Sequence, residues 1–166
     1  MDAALMPRLP YLTTRAHNVF ALGHDIADRL GHDDVTAVHV AIAVVRQNGV
    51  AVGALHNLGI PLEVLERELE EHLPAAGTAR PATAVRSWTP GDQEMIDKAR
   101  SEARELGTVF YGSEHLLLAL VRESAGEVAQ VLAKHGVRYD SLRREILRMY
   151  NAGPDEPSTG SSAPAV

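Results

Sequence analysis

The side chains in this sequence that could do chemistry are its histidines, its serines, its carboxylates and a single tryptophan, and their spacing restricts each of them. Eight histidines invite a metal site, but there is no HExxH pair and no cluster with carboxylates at ligand spacing, so no metal is expected. His17 and His24 stand two helical turns apart; without a third ligand they read as surface residues. Of the serines in the expected folded part, Ser87, Ser101, Ser113, Ser124 and Ser141, none occupies a GxSxG elbow. The absence of cysteine removes thiol nucleophiles, disulfides and thiolate metal sites. No GxxxxGK[ST] loop is present to cradle nucleotide phosphates. The runs Glu66-Arg67-Glu68 and Glu70-Glu71 read as solvated helix faces. Glu114 and His115 are the remaining candidates for a hydrolytic acid/base pair, yet adjacent helix positions diverge by about 100° and need not reach one substrate. Neither an enzyme nor a cofactor is expected. Trp88 has two open readings, a plug in the core or an anchor for a bound peptide.

The elements that position these residues are short helices arranged as a repeat. Of 166 residues 45% are hydrophobic but only 4% aromatic, so the core must be built from Ala, Val, Leu and Ile, which suits closely packed helices. Self-comparison matches Thr13 with Thr89, Leu30-Gly31 with Leu106-Gly107, His39 with His115 and Arg46 with Arg122, all at one constant offset. Beyond Arg46 the offset grows by a single position: Gly49 matches Gly126, Leu55 matches Leu132, Gly59 matches Gly136 and Leu65 matches Leu142. One residue is therefore missing from a loop of the first copy.

Each copy reads as four helices. Thr13 or Thr14 caps the first, whose Val19, Gly23, Ile26, Ala27 and Leu30 share a face that Met95, Ala99, Ala103 and Leu106 repeat. Glu94 and Lys98 form a favourable pair on its exposed side. The second helix runs from about Thr36 to Gln47 and from about Ser113 to Glu123, and the apolar run Leu116 to Val121 marks a central helix. A short third helix carries Val52 and Leu55, or Val128, Val131 and Leu132, and ends at a glycine. The fourth starts near Pro61 or near a cap at Asp140, turning Leu62, Leu65 and Leu69, or Leu142, Ile146 and Met149, inward.

The expected organisation is an N-terminal segment 1–12, repeat one 13–72, a linker 73–88, repeat two 89–150 and a Pro/Gly/Ser-rich disordered tail 151–166. The formal charge of −6 argues against nucleic acid or anionic membrane as a partner. No secretory signal is readable and no apolar stretch approaches the ~20 residues of a membrane-spanning helix, so a cytoplasmic location is expected.

The segment Gly112-Ser113-Glu114-His115-Leu116-Leu117-Leu118-Ala119-Leu120 strongly resembles the G-[TS]-E-H-[IL]-L-L-[GA]-L motif of the Clp N-terminal domain, the domain that precedes the ATPase rings of Clp unfoldases. The resemblance runs from Thr13-Thr14-Arg15-Ala16, similar to the family's T-x-R-A opening, to Tyr150, and the ClpC type fits best. It implies an all-α, pseudo-two-fold pair of four-helix motifs that docks substrates or adaptors. No ATPase ring lies within these residues, so a stand-alone protein- or peptide-binding module is expected: accessory, adaptor-like or decoy, with Clp ATPase or protease components among its partners. The alternatives are a helical scaffold or regulator without a peptide ligand and, after it, a small hydrolase.

The resemblance also implies candidate sites. In some ClpC proteins the Thr and Glu of each motif recognise phosphoarginine, which places a site at Gly112, Ser113 and Glu114. A helix start attracts the phosphate and a carboxylate pairs with the guanidinium. The first copy is degenerate, with Thr36, Ala37 and Val38 in the corresponding places. Ser113 and Glu114 also fit a plain helix start, as cap residue and dipole complement, and His39 and His115 read as packing residues. A second family surface is an apolar groove targeted in actinobacterial ClpC by cyclic peptide antibiotics. Tyr11, Leu12 and Trp88 stand at its aromatic positions, although Gly91-Asp92 departs from the family's Arg-Ala.

Overall fold

The computed structural model describes residues 11–79, 88–123 and 126–152. Among them the chain forms eight helices and no strand: α1 (Thr14–Leu30), α2 (Ala37–Arg46), α3 (Val50–Asn57), α4 (Leu62–Glu71), α5 (Pro90–Glu105), α6 (Ser113–Arg122), α7 (Glu127–Lys134) and α8 (Tyr139–Ala152). The all-α expectation holds. The pairs α1/α5 and α2/α6 start at the offset that relates Thr13 to Thr89, and the pairs α3/α7 and α4/α8 start one position further on. The extra residue of the second copy thus falls in the loop between its second and third helices.

Local chemistry explains the boundaries. Thr13 caps α1 by accepting a hydrogen bond from the Ala16 amide at 3.1 Å. Thr89 and Asp92 cap α5 reciprocally: the Asp92 amide donates to Thr89 Oγ1 at 3.1 Å and the Thr89 amide to Asp92 Oδ2 at 2.9 Å. Asp140 lies inside the first turn of α8 instead of capping it, because the Ser141 hydroxyl already satisfies the Arg138 amide at 3.0 Å. The boundary at 151 also shifts. Asn151 and Ala152 continue α8, since the first helix breakers in the sequence are Gly153 and Pro154. Residues 1–10 of the expected N-terminal segment 1–12, the linker residues 80–87 and the tail from 153 on lie outside the described residues.

The two repeats share one core. α2 and α6 pack against each other across the pseudo-two-fold axis, α3 packs on α6 and α8, and α7 packs on α2 and α4. Val38 to Val45 of α2 and His115 to Val121 of α6 are buried without interruption, so both helices are central. The remaining helices are amphipathic. In α5 the buried residues are Asp92, Ile96, Ala99, Glu102 and Ala103, and Met95 is only half-buried. The expected face is rotated because the inward residue of the first turn is a carboxylate, which hydrophobic periodicity does not register.

No single helix among the described residues is long and apolar enough to cross a membrane; α2 and α3 pass that test only as a pair bent by 83°.

Four glycines with positive φ, Gly31, Gly59, Gly107 and Gly136, end the first and third helices of both copies. Two of them differ in their surroundings. The first half of the linker crosses the end of α1, where the Gly77 amide donates to the Leu30 carbonyl at 2.8 Å, and a Cβ on Gly31 would sit 2.4 Å from the Gly77 carbonyl carbon. Nothing lies within 4 Å of a Cβ on Gly107. Gly107→Ala is expected to destabilise the chain by about 1 kcal/mol, the cost of left-handed backbone alone. Gly31→Ala should lower the urea midpoint severalfold more, and equal midpoints for the two variants would contradict the packing of the linker on α1.

Candidate functional site

The start of α6 is built by a backbone problem. A helix leaves its first amides without intrahelical acceptors, and here the helix start is buried: Ser113 is 3% exposed and His115 1%. Gly112 is the N-cap and has no side chain to help, so Ser113 is the first helical residue and not the expected cap. The cap is supplied from inside the helix, where His115 Nδ1 accepts the Gly112 amide at 2.9 Å. An accepting Nδ1 leaves the ring proton on Nε2, which donates to Thr108 Oγ1 at 3.2 Å, and Thr108 donates in turn to the Ala103 carbonyl at 3.2 Å. Burial lowers the His115 pKa, against the raising influence of the Glu114 and Glu102 charges, and this favours the neutral ring that the network needs.

Glu114 stands at the edge of this network, with its side chain 14% exposed. Its Oε1 accepts the Tyr150 hydroxyl from α8 at 2.8 Å, and its carboxylate folds back over the helix start, so that a Cβ on Gly112 would lie 2.6 Å from Glu114 Oε2. Burial first, and then the Glu114 charge and hydrogen bond, push the Tyr150 phenol up; it stays a donor to the carboxylate at any ordinary pH. The arrangement holds a largely buried negative charge beside the first amides of a helix.

The first copy has the same backbone and different chemistry. His39 Nδ1 accepts the Thr36 amide at 2.9 Å and lies 3.0 Å from Thr36 Oγ1. His39 Nε2 then donates to His32 Nδ1 at 2.9 Å. That proton order places the His32 proton on Nε2, which is buried without a hydrogen-bond partner among the described residues. Thr36 and Ala37 are exposed, while Val38, in the place of Glu114, is 2% exposed and belongs to the core. The first turn of α2 contains no acidic residue.

The three expected groove residues fall into two environments. Trp88 is half-buried and packs edge-on against His17 and Phe20, with ring centroids 5.6 and 5.1 Å apart. Leu12 forms an isolated bridge with Tyr111. Tyr11 is 56% exposed and lies 6.3 Å from Phe110. His17 and His24 correct the reading of them as surface residues, being 7% and 2% exposed. His24 Nε2 lies 2.8 Å from Asp92 Oδ2, joining the two repeats. Burial alone would raise the Asp92 carboxyl, but the His24 and Thr89 hydrogen bonds outweigh it and hold the pKa low. The Gly91-Asp92 departure therefore provides an inter-repeat clasp.

The tandem is also what the comparisons with known proteins find. The chain matches the Clp repeat (R) N-terminal domain family twice, over residues 11–110 and 87–165. It belongs to the Clp N-terminal domain family.

Among curated relatives, a Bacillus subtilis protein named negative regulator of genetic competence ClpC/MecB is 35% identical over 152 residues, which are 91% of this chain and 18% of that protein. A chaperone protein ClpB of Oceanobacillus iheyensis is 34% identical over 149 residues, 89% of this chain and 18% of that protein. The chain thus spans about a fifth of the length of these relatives. Among solved structures, the N-terminal domain of the chaperone ClpD from Arabidopsis thaliana superposes with a TM-score of 0.61 at 16% identity, covering 85% of this chain and 95% of the other. The Hsp104 N-terminal domain from Candida albicans gives a TM-score of 0.66 at 13% identity, covering 86% and 93%. Domains of this family are protein- and adaptor-binding modules of Clp ATPases.

Sequence reasoning missed the partners of this Clp N-domain's two cap histidines, His32 and Thr108, and Tyr150, which holds Glu114. The repeat itself carried a signal, because His32 and Thr108 occupy equivalent positions of the two copies and each precedes its cap histidine by seven. Tyr150 has no such marker. The first-copy network also has a pH consequence. Burial, followed by the His32 and His24 charges, lowers the His39 pKa from 6.5 to about 4, so the folded chain requires a neutral ring. The contribution of His39 is complete above pH 6.5 and is lost as pH falls toward about 4. Urea unfolding from pH 7 to pH 4 should show a loss on the order of 3 kcal/mol from this group. His39→Gln, which keeps an acceptor but does not titrate, should flatten the slope.

Proposed function

We propose that this chain is a non-catalytic peptide-capturing module of the Clp system, acting as an accessory, an adaptor or a decoy, and that its second repeat takes phosphoarginine at the start of α6. The observation that carries this reading is the Glu114 carboxylate, held by Tyr150 at 2.8 Å beside the amides of Ser113 and Glu114. A phosphoryl group bonded to a guanidinium presents an anion next to a cation. The helix amides and dipole suit the first, and the carboxylate suits the second. The first repeat offers no equivalent carboxylate, so one site is expected per chain.

Titration with free phosphoarginine, followed by amide NMR, tests this. Shifts should centre on Ser113, Glu114 and Tyr150 and leave Thr36 to His39 unmoved. Glu114→Ala should weaken binding at least tenfold, about 1.4 kcal/mol or more. Phosphate binding that survives Glu114→Ala unchanged would remove the guanidinium half of the reading, and the absence of any shift would remove the site.

A second surface of the same module is favoured by one observation. His17 Nε2 is buried without a partner among the described residues, beside the half-buried Trp88. A bound peptide carbonyl would satisfy it. Cyclic peptides of the class that targets Clp N-domains should bind there with an affinity that falls at least tenfold in Trp88→Ala, read by calorimetry.

A further inference from the structure

The pseudo-symmetry supplies an internal control for what the fold requires. Where repeat one has Asp33 and Asp34 between its first and second helices, repeat two has Val109 and Phe110 at the equivalent positions. The shared backbone does not need apolar side chains at these positions, yet Val109 is 70% and Phe110 61% exposed. Tyr11 joins them. Of the four large hydrophobics exposed among the described residues, three are therefore on one patch. Tyr11 is held in place by two backbone hydrogen bonds around the bridge, Tyr111 amide to Tyr11 carbonyl at 3.0 Å and Thr13 amide to Tyr111 carbonyl at 3.1 Å. This holds despite a φ of 75°, which is unfavourable for a non-glycine residue.

Beside this patch lies a cleft of about 560 Å³ walled by Tyr11, Arg100, Arg104, Thr108, Val109 and Tyr111, with Ala103 at its base. Its charge is one-sided. Arg100 and Arg104 enter the wall and no carboxylate does, in a chain whose formal charge is −6. In two other clefts among the described residues the arginine or lysine stands with carboxylates, Arg29 and Arg46 with Glu70 in one and Lys98 with Asp92, Glu94 and Glu123 in the other. Arg100 is anchored over the Tyr111 ring at 5.6 Å and reaches Asp97 at 3.5 Å, whereas Arg104 is exposed and has no ion-pair partner among the described residues.

We infer that this cleft docks an acidic linear peptide, one large apolar or aromatic residue flanked by Asp or Glu. The apolar residue lies on Tyr11, Val109 and Phe110, and the flanking carboxylates meet Arg100 and Arg104. Aromatic contacts with exposed arginines at the edge are the composition of an interface hot spot, and the charge selects an acidic partner over a basic one. The inference rests on the protein-binding reading above but not on its sites, because neither Glu114 nor Trp88 lines this cleft.

Fluorescence anisotropy of a labelled peptide of about ten residues, with one Phe between pairs of Asp and Glu, tests it on the whole chain. The wild type should bind this peptide and not the version with Lys in place of the acids, and binding should weaken as salt is raised. Phe110→Asp introduces the residue type that repeat one already carries at the equivalent position, so folding is retained, which a thermal melt checks. It and Arg104→Glu should each weaken binding at least tenfold. Trp88→Ala and Glu114→Ala should leave it unchanged. Failure of the acidic peptide to bind, or equal binding of the Lys version, overturns the inference. Loss of binding in Trp88→Ala with retention in Phe110→Asp also overturns it, while leaving the chain a peptide binder through a different surface. Sedimentation showing a dimer that Phe110→Asp disperses would assign the patch to a second copy of the chain and equally overturn it.

Discussion

Everything in this structure depends on the contact between α2 and α6. Each is about ten residues long, and Val38 to Val45 and His115 to Val121 are buried on every side. The second helix of each copy packs on its own first, third and fourth helices. It is closed on the remaining side by its counterpart and by the third helix of the other copy. The exchange is reciprocal, α3 covering α6 and α7 covering α2. Each repeat thus completes the burial of the other's central helix, and the two motifs share one core. The His24 and Asp92 clasp adds a buried polar tie between them.

Burying whole helices moves the hydrogen-bond problem to their ends. A solvated helix start leaves its amides to water, but Gly112 and Ser113 are buried and have none. The solution in both copies is a histidine at the third helical position that reaches back to the N-cap amide, His39 to Thr36 and His115 to Gly112. It works only with a neutral ring, and burial keeps both rings neutral. These histidines were legible as core residues but not as caps. Hydrophobic patterning reports which positions are inside, and only the observed donor and acceptor geometry shows what a polar residue does there. The same blindness explains His17, His24 and Asp92. Each is polar, each reads as surface by type, and each is buried because it has a specific neighbour from the other repeat or an aromatic plate to pack on.

The repeat, by contrast, was legible almost to the residue. Its offsets predict the starts of all four helix pairs and the loop that absorbs the insertion. Paired glycines at 31 and 107, and at 59 and 136, predict four left-handed helix ends. These features are legible because they are local: a glycine at a helix end and an apolar stripe act through their own backbone. The candidate site was legible only in part. Glu114 was visible from its motif, but Tyr150, which fixes its carboxylate, lies 36 residues away in a helix whose pattern records only its apolar face.

Because the two backbones correspond, each repeat shows which features of the other belong to the fold alone. Positions that keep the same character in both copies, such as the cap histidines and the apolar faces of the second helices, are explained by packing. Positions that diverge while the backbone does not change are free of that requirement. Val38 and Glu114 diverge in this way: one completes the core and the other holds a charge at a helix start. The arginines at the ends of α2 and α6 diverge in wiring instead. Arg46 pairs with Glu66 and Glu70 of α4, while Arg122 pairs with Glu102 and Glu105 of α5 and with Tyr139. Equivalent positions thus carry different partners at the corners where helices meet the surface, and the same positions in the shared core do not. A tandem that holds its centre symmetric and lets its corners differ has two places at which a ligand can be recognised differently. Here the second repeat has the largely buried carboxylate, so the domain is two-fold in its backbone and one-sided in its chemistry.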